Sequence, residues 1–400
     1  MRVEASPFLW LLIVGGLVIL VACSSLISGE KMGNMTLVKE ETALDALVDS
    51  ERVLVFVAAN ASDEGIYWLD LDNHRLYLAA RPQAEAQFTD AESYIWLPER
   101  DMVRWTGSEL VYGHRLTGFW ELATDGSQQQ ITEFGYVGQL AQNGEQVLRF
   151  RACGPDENGH SYLITPLDRF TGPPLLCLPR YVDAETPWYT VVPVWNPYLA
   201  EADFIVSERF GLTNGLRVVS NKLVAVADEG TLVDIVDLGT GFPILAANSL
   251  QVRPDGQAFY VYDGAAGVTR IVDRQGDDLV DFGAVDGAWA GWERNGRFSW
   301  SPDSQKAVLL FEDCANECEQ VLVLAENEFA NLTELATLPE NDRFDYFIWS
   351  PDSTWLSLVT EIHQGADDPP RIYTINLRDQ SVEQYVFPMR IILKSVQWVR

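Results

Sequence analysis

The side chains of this sequence best able to do chemistry are few and scattered. Four histidines, His74, His114, His160 and His363, lie far apart, each among turn-forming residues. A metal centre needs three or four converging ligands, so these could cooperate only if the fold drew distant loops to one mouth. Cys314-Ala315-Asn316-Glu317-Cys318 offers two thiolates at zinc-like spacing, but no histidine stands near them. Asp156-Glu157-Asn158-Gly159 has acids and a glycine pivot, yet it is shorter than a calcium loop, which needs oxygen ligands at alternate positions. The acidic pairs Asp277-Asp278 and Asp367-Asp368 sit at turns. There is no Gly-x-Ser-x-Gly nucleophile elbow and no glycine-rich phosphate loop. No catalytic residue, metal ligand or cofactor is therefore assigned from the residues.

The N-terminus carries a different chemistry. Residues 7–22 read PFLWLLIVGGLVILVA and are followed at once by Cys23. That run is short for a spanning helix and suits the apolar core of a signal peptide. Leu20-Val21-Ala22-Cys23 resembles the bacterial lipobox, and the resemblance implies cleavage before Cys23 and acylation of its thiol and new amino terminus. The weak point of the match is the preceding charge: Arg2 is offset by Glu4. An uncleaved signal anchor is the other reading, and both place the rest of the chain outside the cytoplasm. Export is consistent with the remaining cysteines, Cys153, Cys177, Cys314 and Cys318, an even number able to form disulfides. Of three connectivities, Cys153–Cys177 with Cys314–Cys318 closes the most local loops.

The chain of 400 residues carries 58 acids against 28 bases, a formal charge of −30. With no basic cluster to neutralise phosphates, nucleic acid is excluded as a partner. The excess acid fits a solvated surface.

These residues must be positioned by strands. From Val53 onward, short runs rich in Val, Ile, Tyr, Phe and Trp are broken at short intervals by turn residues, the mark of an all-β chain. The phrase Trp-Ser-Pro-Asp-Ser occurs at Trp300–Ser304 and again at Trp349–Ser353, and three strand-like runs follow each copy. Weaker copies start near Val252, Trp195, Leu140 and Trp105, with Trp96-Leu97-Pro98 a rival to Trp105. An anchor strand plus three more is one propeller blade. Proline sets the turn, the Asp or Ser side chain bonds back to it, and the tryptophan fills the gap between blades. The phrase reads as packing and turn chemistry, with no catalytic role.

The ends complete the pattern. Val53–Ala59, Ile66–Leu71 and Arg75–Ala79 look like a blade without its anchor strand, while Val396–Val399 look like an anchor strand without a blade. Trp398 follows Trp349 at the interval that separates Trp349 from Trp300. The expectation is a single β-propeller of seven four-stranded antiparallel blades, with six or eight the alternatives because residues 180–245 are poorly patterned, closed by the C-terminal strand joining the first blade. Residues 1–22 are then a signal peptide, 23–50 a lipid-anchored tether with a short helix at Glu40–Asp49, and 51–400 the propeller.

The phrase at 300 and 349, with the later strand Ile372–Leu377, resembles the WD-type propeller repeat of TolB, and of the propeller domains of dipeptidyl peptidases and prolyl oligopeptidases. The resemblance is good over 250–390, fair over 50–135 and poor over 136–245. It implies an exported propeller that binds other envelope proteins. The separate N-terminal α/β domain of TolB has no counterpart here. The chain is thus expected to be a membrane-anchored, non-enzymatic binding module facing the periplasm or cell exterior. Its partner would be an envelope or extracellular protein, peptide or glycan, held at a loop-lined mouth of the ring. Tyr181, Trp188, Tyr189, Trp289 and Trp292 are candidates for that face, with packing between blades as their other role. The alternative function is a channel-centred, metal-assisted hydrolase or lyase.

Overall fold

The computed structural model describes residues 31–400 apart from segments 59–64, 82–86, 89–93, 98–101, 112–113, 132–138, 154–158, 167–174, 180–187, 213–214, 228–230, 240–249, 264–267, 282–292, 314–318, 327–328, 339–343, 361–369 and 389–392. The described strands form seven sheets, each built round four antiparallel strands, and the sheets make a seven-bladed propeller. In chain order the innermost strands are Tyr94–Leu97, Gln139–Leu140, Trp188–Asn196, Leu250–Val252, Glu293–Trp300 and Phe344–Trp349. The first blade takes its innermost strand from the other end of the chain. Leu393–Trp398 pairs antiparallel with Val53–Ala58, with Leu54 opposite Trp398. Val53 N–H then donates to the Arg400 carbonyl at 2.9 Å and Val399 N–H to the Val53 carbonyl at 2.8 Å.

The core lies between blades, which explains why the strands are apolar almost throughout. Successive residues of a strand point to opposite faces of its sheet, and here both faces meet a neighbour. In the fifth blade, Phe259 and Val261 pack with the fourth, while Ala258 and Tyr260 pack with the sixth. In the sixth, Leu309 and Phe311 face the fifth, and Val308 and Leu310 face the seventh. Among the described residues, six apolar clusters each span two neighbouring blades.

Two expectations are corrected. The anchor strand of the second blade carries Trp96, and Trp105 lies on the next strand opposite Tyr94. Both stretches are aromatic, and only pairing decides which is the inner one. The stretch before the first blade is no simple tether and helix. Strand β1 (Lys31–Asn34) runs parallel to the outermost strand of the seventh blade, Val382–Val386. Strand β2 (Thr36–Glu41) runs parallel to the outermost strand of the first, Arg75–Ala80. The single residue between them, Met35, is buried in the cluster shared by those blades. Edge strands offer unpaired N–H and C=O groups to any extended chain, so this small, polar segment adds to both sheets without strong strand propensity. The expected helix reduces to a 3₁₀ turn at Leu44–Ala46. Its Leu44 and Leu47 are buried between the first and second blades, a three-residue spacing that the tighter helix brings onto one side.

Candidate functional site

The repeated phrase makes a ring of turns on one face of the propeller. Within each copy the bonds recur. Ser301 Oγ donates to Asp303 Oδ1 at 2.6 Å and accepts from Lys306 N–H at 2.9 Å. Ser350 Oγ does the same with Asp352, at 2.6 Å, and Trp355 N–H, at 2.9 Å. The fourth residue after the anchor, or the fifth after Trp195, is left-handed: Ser304 has φ 62°, Ser353 57°, Ala200 55°, Gly256 74° and Gly144 66°. Glycine adopts this conformation freely, whereas serine is strained there. The serine has a use for its side chain. Ser304 Oγ accepts from Asp255 N–H of the preceding blade at 3.0 Å, and Ser353 Oγ from Asp303 N–H at 3.3 Å.

Comparable bonds cross the remaining junctions. Trp96 N–H donates to Gln397 Oε1 at 2.6 Å, and Arg104 Nη1 donates to the Gly144 carbonyl. Gln142 N–H reaches the Pro197 carbonyl at 2.8 Å, and Asn196 Nδ2 the Pro254 carbonyl at 3.1 Å. Trp398 Nε1 reaches the Ile348 carbonyl at 3.3 Å. The turns are therefore a structural belt, as the sequence suggested, and Asp303 and Asp352 are committed to it. Burial works against ionisation of Asp352, but hydrogen bonds from Ser350 and Thr354 outweigh it and hold its carboxyl below the usual range.

The candidate residues named from sequence do not assemble into a site. Tyr181, Trp289 and Trp292 lie outside the described residues, as do Cys23, Cys314, Cys318 and His363. Trp188 and Tyr189 begin the innermost strand of the fourth blade. Tyr189 packs against the cluster shared by the third and fourth blades, so it does the packing that was its other expected role. Burial, then the charge of Glu208, raises its hydroxyl pKa. Cys153 pairs opposite Gly159 and Cys177 opposite Ser161. Strand Gly159–Pro166 thus stands between the two cysteines, which are two strand spacings apart, about 9.5 Å, and offset by a further two residues along the strand. A disulfide requires Cα atoms no more than about 7 Å apart, so the local Cys153–Cys177 bridge does not fit this register. His74 is a turn residue, φ 53°, whose ring meets Tyr385 edge-on at 5.4 Å. Among the described residues no three His, Cys, Asp or Glu side chains stand close enough to share a metal ion.

Among the described residues, a cleft of about 450 Å³ beside the turn ring, between the fifth and sixth blades, has the shape of a binding site. Its walls include Arg253, Asp255, Leu279, Trp300, Lys306 and Phe329. The turn after Leu250–Val252 places Arg253 and Asp255, whose Nε–Oδ1 bond is 2.8 Å. The guanidinium lies 5.8 Å from the centre of the Trp300 ring. Lys306, just after the first Trp-Ser-Pro-Asp-Ser copy, makes one long bond of 3.5 Å to the Ser353 carbonyl. Leu279 on the outermost strand of the fifth blade is 48% exposed. Phe329 has φ 68°, a costly conformation for a bulky residue, and it holds the ring 5.7 Å from Trp300 and 6.3 Å from Phe298. Sequence reading missed this site. Its residues are drawn from four separated strands or turns, and the only signal was an arginine standing where the repeated phrase has serine.

No family model matches the chain, and no curated protein matches it. Solved structures do. A prolyl endopeptidase aligns over 98% of this chain at 11% identity with a TM-score of 0.52, and this chain spans 56% of the endopeptidase chain. An oligogalacturonate lyase from Vibrio parahaemolyticus aligns over 83% of this chain and 84% of its own at 14% identity, TM-score 0.49. A periplasmic gluconolactonase from Pseudomonas aeruginosa covers 88% of this chain and 99% of its own at 12% identity, TM-score 0.48. At such identities the likeness is one of fold: this chain is a β-propeller. None of these three likenesses singles out the TolB-type repeat.

Proposed function

We propose that this chain is an exported, TolB-like propeller, held to a membrane by lipid on Cys23, which serves as a non-enzymatic binding module. Its partner is an envelope or extracellular protein, peptide or glycan. The binding site is the cleft between the fifth and sixth blades. One observation carries this reading: the cleft has the volume of a ligand site, and its wall combines the exposed Leu279 with cations that are not fully engaged. The turns beside it are hydrogen-bonded from blade to blade, which favours a preformed site over an induced one.

The alternative reading is a channel-centred hydrolase or lyase; among the described residues no group of metal-ligating side chains converges that would give it a metal. Two measurements on the full chain in detergent test the proposal. The first assays cleavage of oligogalacturonate and hydrolysis of gluconolactone, with and without manganese. The expected result is no turnover, and sustained turnover would overturn the binding-module reading. The second screens a panel of peptides and oligosaccharides for an increase in melting temperature, in wild type and in Leu279→Trp, which fills the cleft. A ligand bound at 100 times its Kd stabilises by about 2.7 kcal/mol. Every ligand found should lose its effect in the variant. Ligands that stabilise both proteins equally would place the site elsewhere.

A further inference from the structure

We infer that the cleft takes a protein segment carrying a carboxylate beside a bulky apolar side chain, a reading that rests on the cleft being the binding site. The argument begins with unused donors. Arg253 commits Nε to Asp255, and among the described residues its two Nη groups have no hydrogen-bond partner. Lys306 commits its ammonium to one long bond, 3.5 Å, with a carbonyl. Asp255 is ion-paired with Arg253 through Oδ1, which also accepts from Gln257 N–H at 2.9 Å, so the two cations and one acid leave the wall net positive.

In a chain with 28 bases against 58 acids, a cleft whose two cations outnumber its one acid suits an anion. A guanidinium with free Nη groups is the donor best shaped for a carboxylate. The part-buried setting strengthens the attraction relative to open water.

The other wall specifies what accompanies the anion. Leu279, 48% exposed, Val280 and Phe329 line it. Sugar rings bind most readily on an open aromatic face, and Trp300 offers none. It is 8% exposed, lies under Arg253, and meets Phe298 at 4.9 Å and Phe329 at 5.7 Å edge-on. A peptide supplies a carboxylate and an aliphatic or aromatic side chain within one residue of each other, which matches cations on one wall and an apolar shelf on the other.

The test titrates the full chain in detergent into a fluorescein-labelled hexapeptide alternating leucine or phenylalanine with glutamate. A second peptide has glutamine for glutamate, and a third has serine for the apolar residues. Unlabelled hexagalacturonate is the competitor. The glutamate peptide should bind, and each altered peptide about tenfold more weakly, the equivalent of about 1.4 kcal/mol. Lys306→Met and Leu279→Ser should each weaken the glutamate peptide several-fold with an unchanged melting temperature. Val233→Ser, at an exposed position on the fourth blade, should leave binding intact. Equal affinity for the glutamate and glutamine peptides would overturn the inference. If hexagalacturonate binds instead, and Lys306→Met and Leu279→Ser weaken it, the cleft stands as the site and the peptide class falls. If neither probe binds, or the two cleft variants change nothing, both readings fall.

Discussion

The junction of the seventh and first blades and the junction of the fifth and sixth are built from the same repeat, yet they are finished differently. At the first, the C-terminal strand completes the opening blade, Trp398 packs 6.4 Å from Trp355, and Arg52 sits 4.8 Å over Trp355. Arg52 also bonds Asp72 at 2.7 Å and Glu383 at 2.6 Å. Outside these contacts, β1 and β2 clasp the two outer edges. At the second, Tyr260 stacks on Phe298 at 4.0 Å, and one turn bond and Gln251 Nε2 to the Phe298 carbonyl at 2.7 Å close the inner part. The outer part gapes into the cleft. The first blade is assembled from the two ends of the chain, its innermost strand held to Val53–Ala58 only by noncovalent bonds, and several constraints are layered around that closure. The fifth and sixth blades are each complete within one stretch of chain, and their junction leaves a cleft open.

Five experiments break or sharpen this contrast, in descending order of effect. Trp398→Ala removes the residue that fills the seam and should cost about 3–5 kcal/mol, read by urea denaturation. A loss below about 1 kcal/mol would mean the C-terminal strand does not close the ring. Met35→Ala empties the point between β1 and β2, 4% exposed, and should cost at least about 2 kcal/mol. No change in melting temperature would show that the clasp is not part of the propeller.

Ser304 distinguishes strain from bonding at the fifth–sixth junction. Ser304→Ala keeps a Cβ at positive φ and loses the bond to Asp255, for a cost of about 1 kcal/mol. Ser304→Gly loses the same bond but relieves the strain, so its net effect should be smaller by up to about 1 kcal/mol. Equal losses in both would refute the strain argument.

The fourth experiment uses pH. Burial opposes ionisation of Asp72, but bonds from the Arg52 side chain and from the backbone N–H groups of Arg52 and Glu51 hold its carboxyl below the ordinary value of 3.8. A folded-state value below the unfolded one stabilises above the unfolded value and is lost as pH falls through the folded one. Between pH 5 and 2, Asp72→Asn should therefore unfold with a shallower acid dependence than wild type. An identical slope would show that the seam ion pairs do not contribute. The smallest expected effect on stability is that of Leu279→Ser, within about 0.5 kcal/mol, since this side chain is 48% exposed. A large drop in melting temperature would make Leu279 a packing residue and close the case for an open cleft.

Much of the fold was legible because its signals are local. The Trp-Ser-Pro-Asp-Ser copies carry their own turn bonds, and the apolar runs mark strands whose two faces are both covered. Where the phrase degenerates, as around Leu140 and Ala200, the left-handed position survives with other residues. The choice between Trp96 and Trp105 was not legible, since both have aromatic surroundings and register alone separates them. The candidate site was hardly legible at all. Arg253, Leu279, Lys306 and Phe329 belong to two blades and to turns far apart in the chain, and no spacing rule connects them.

The repeat, the unpaired ends and the alternation of apolar runs with turns determined by themselves a closed ring of four-stranded blades, since each is a matter of neighbouring residues; the count, seven against six or eight, was settled by the strand pairing. Tertiary structure alone decided that a polar N-terminal stretch clasps two sheet edges, that a strand stands between Cys153 and Cys177, and that one junction stays open beside two cations. Those outcomes depend on which backbone groups and side chains are left unsatisfied once the ring has closed, and that is a property of distance in space.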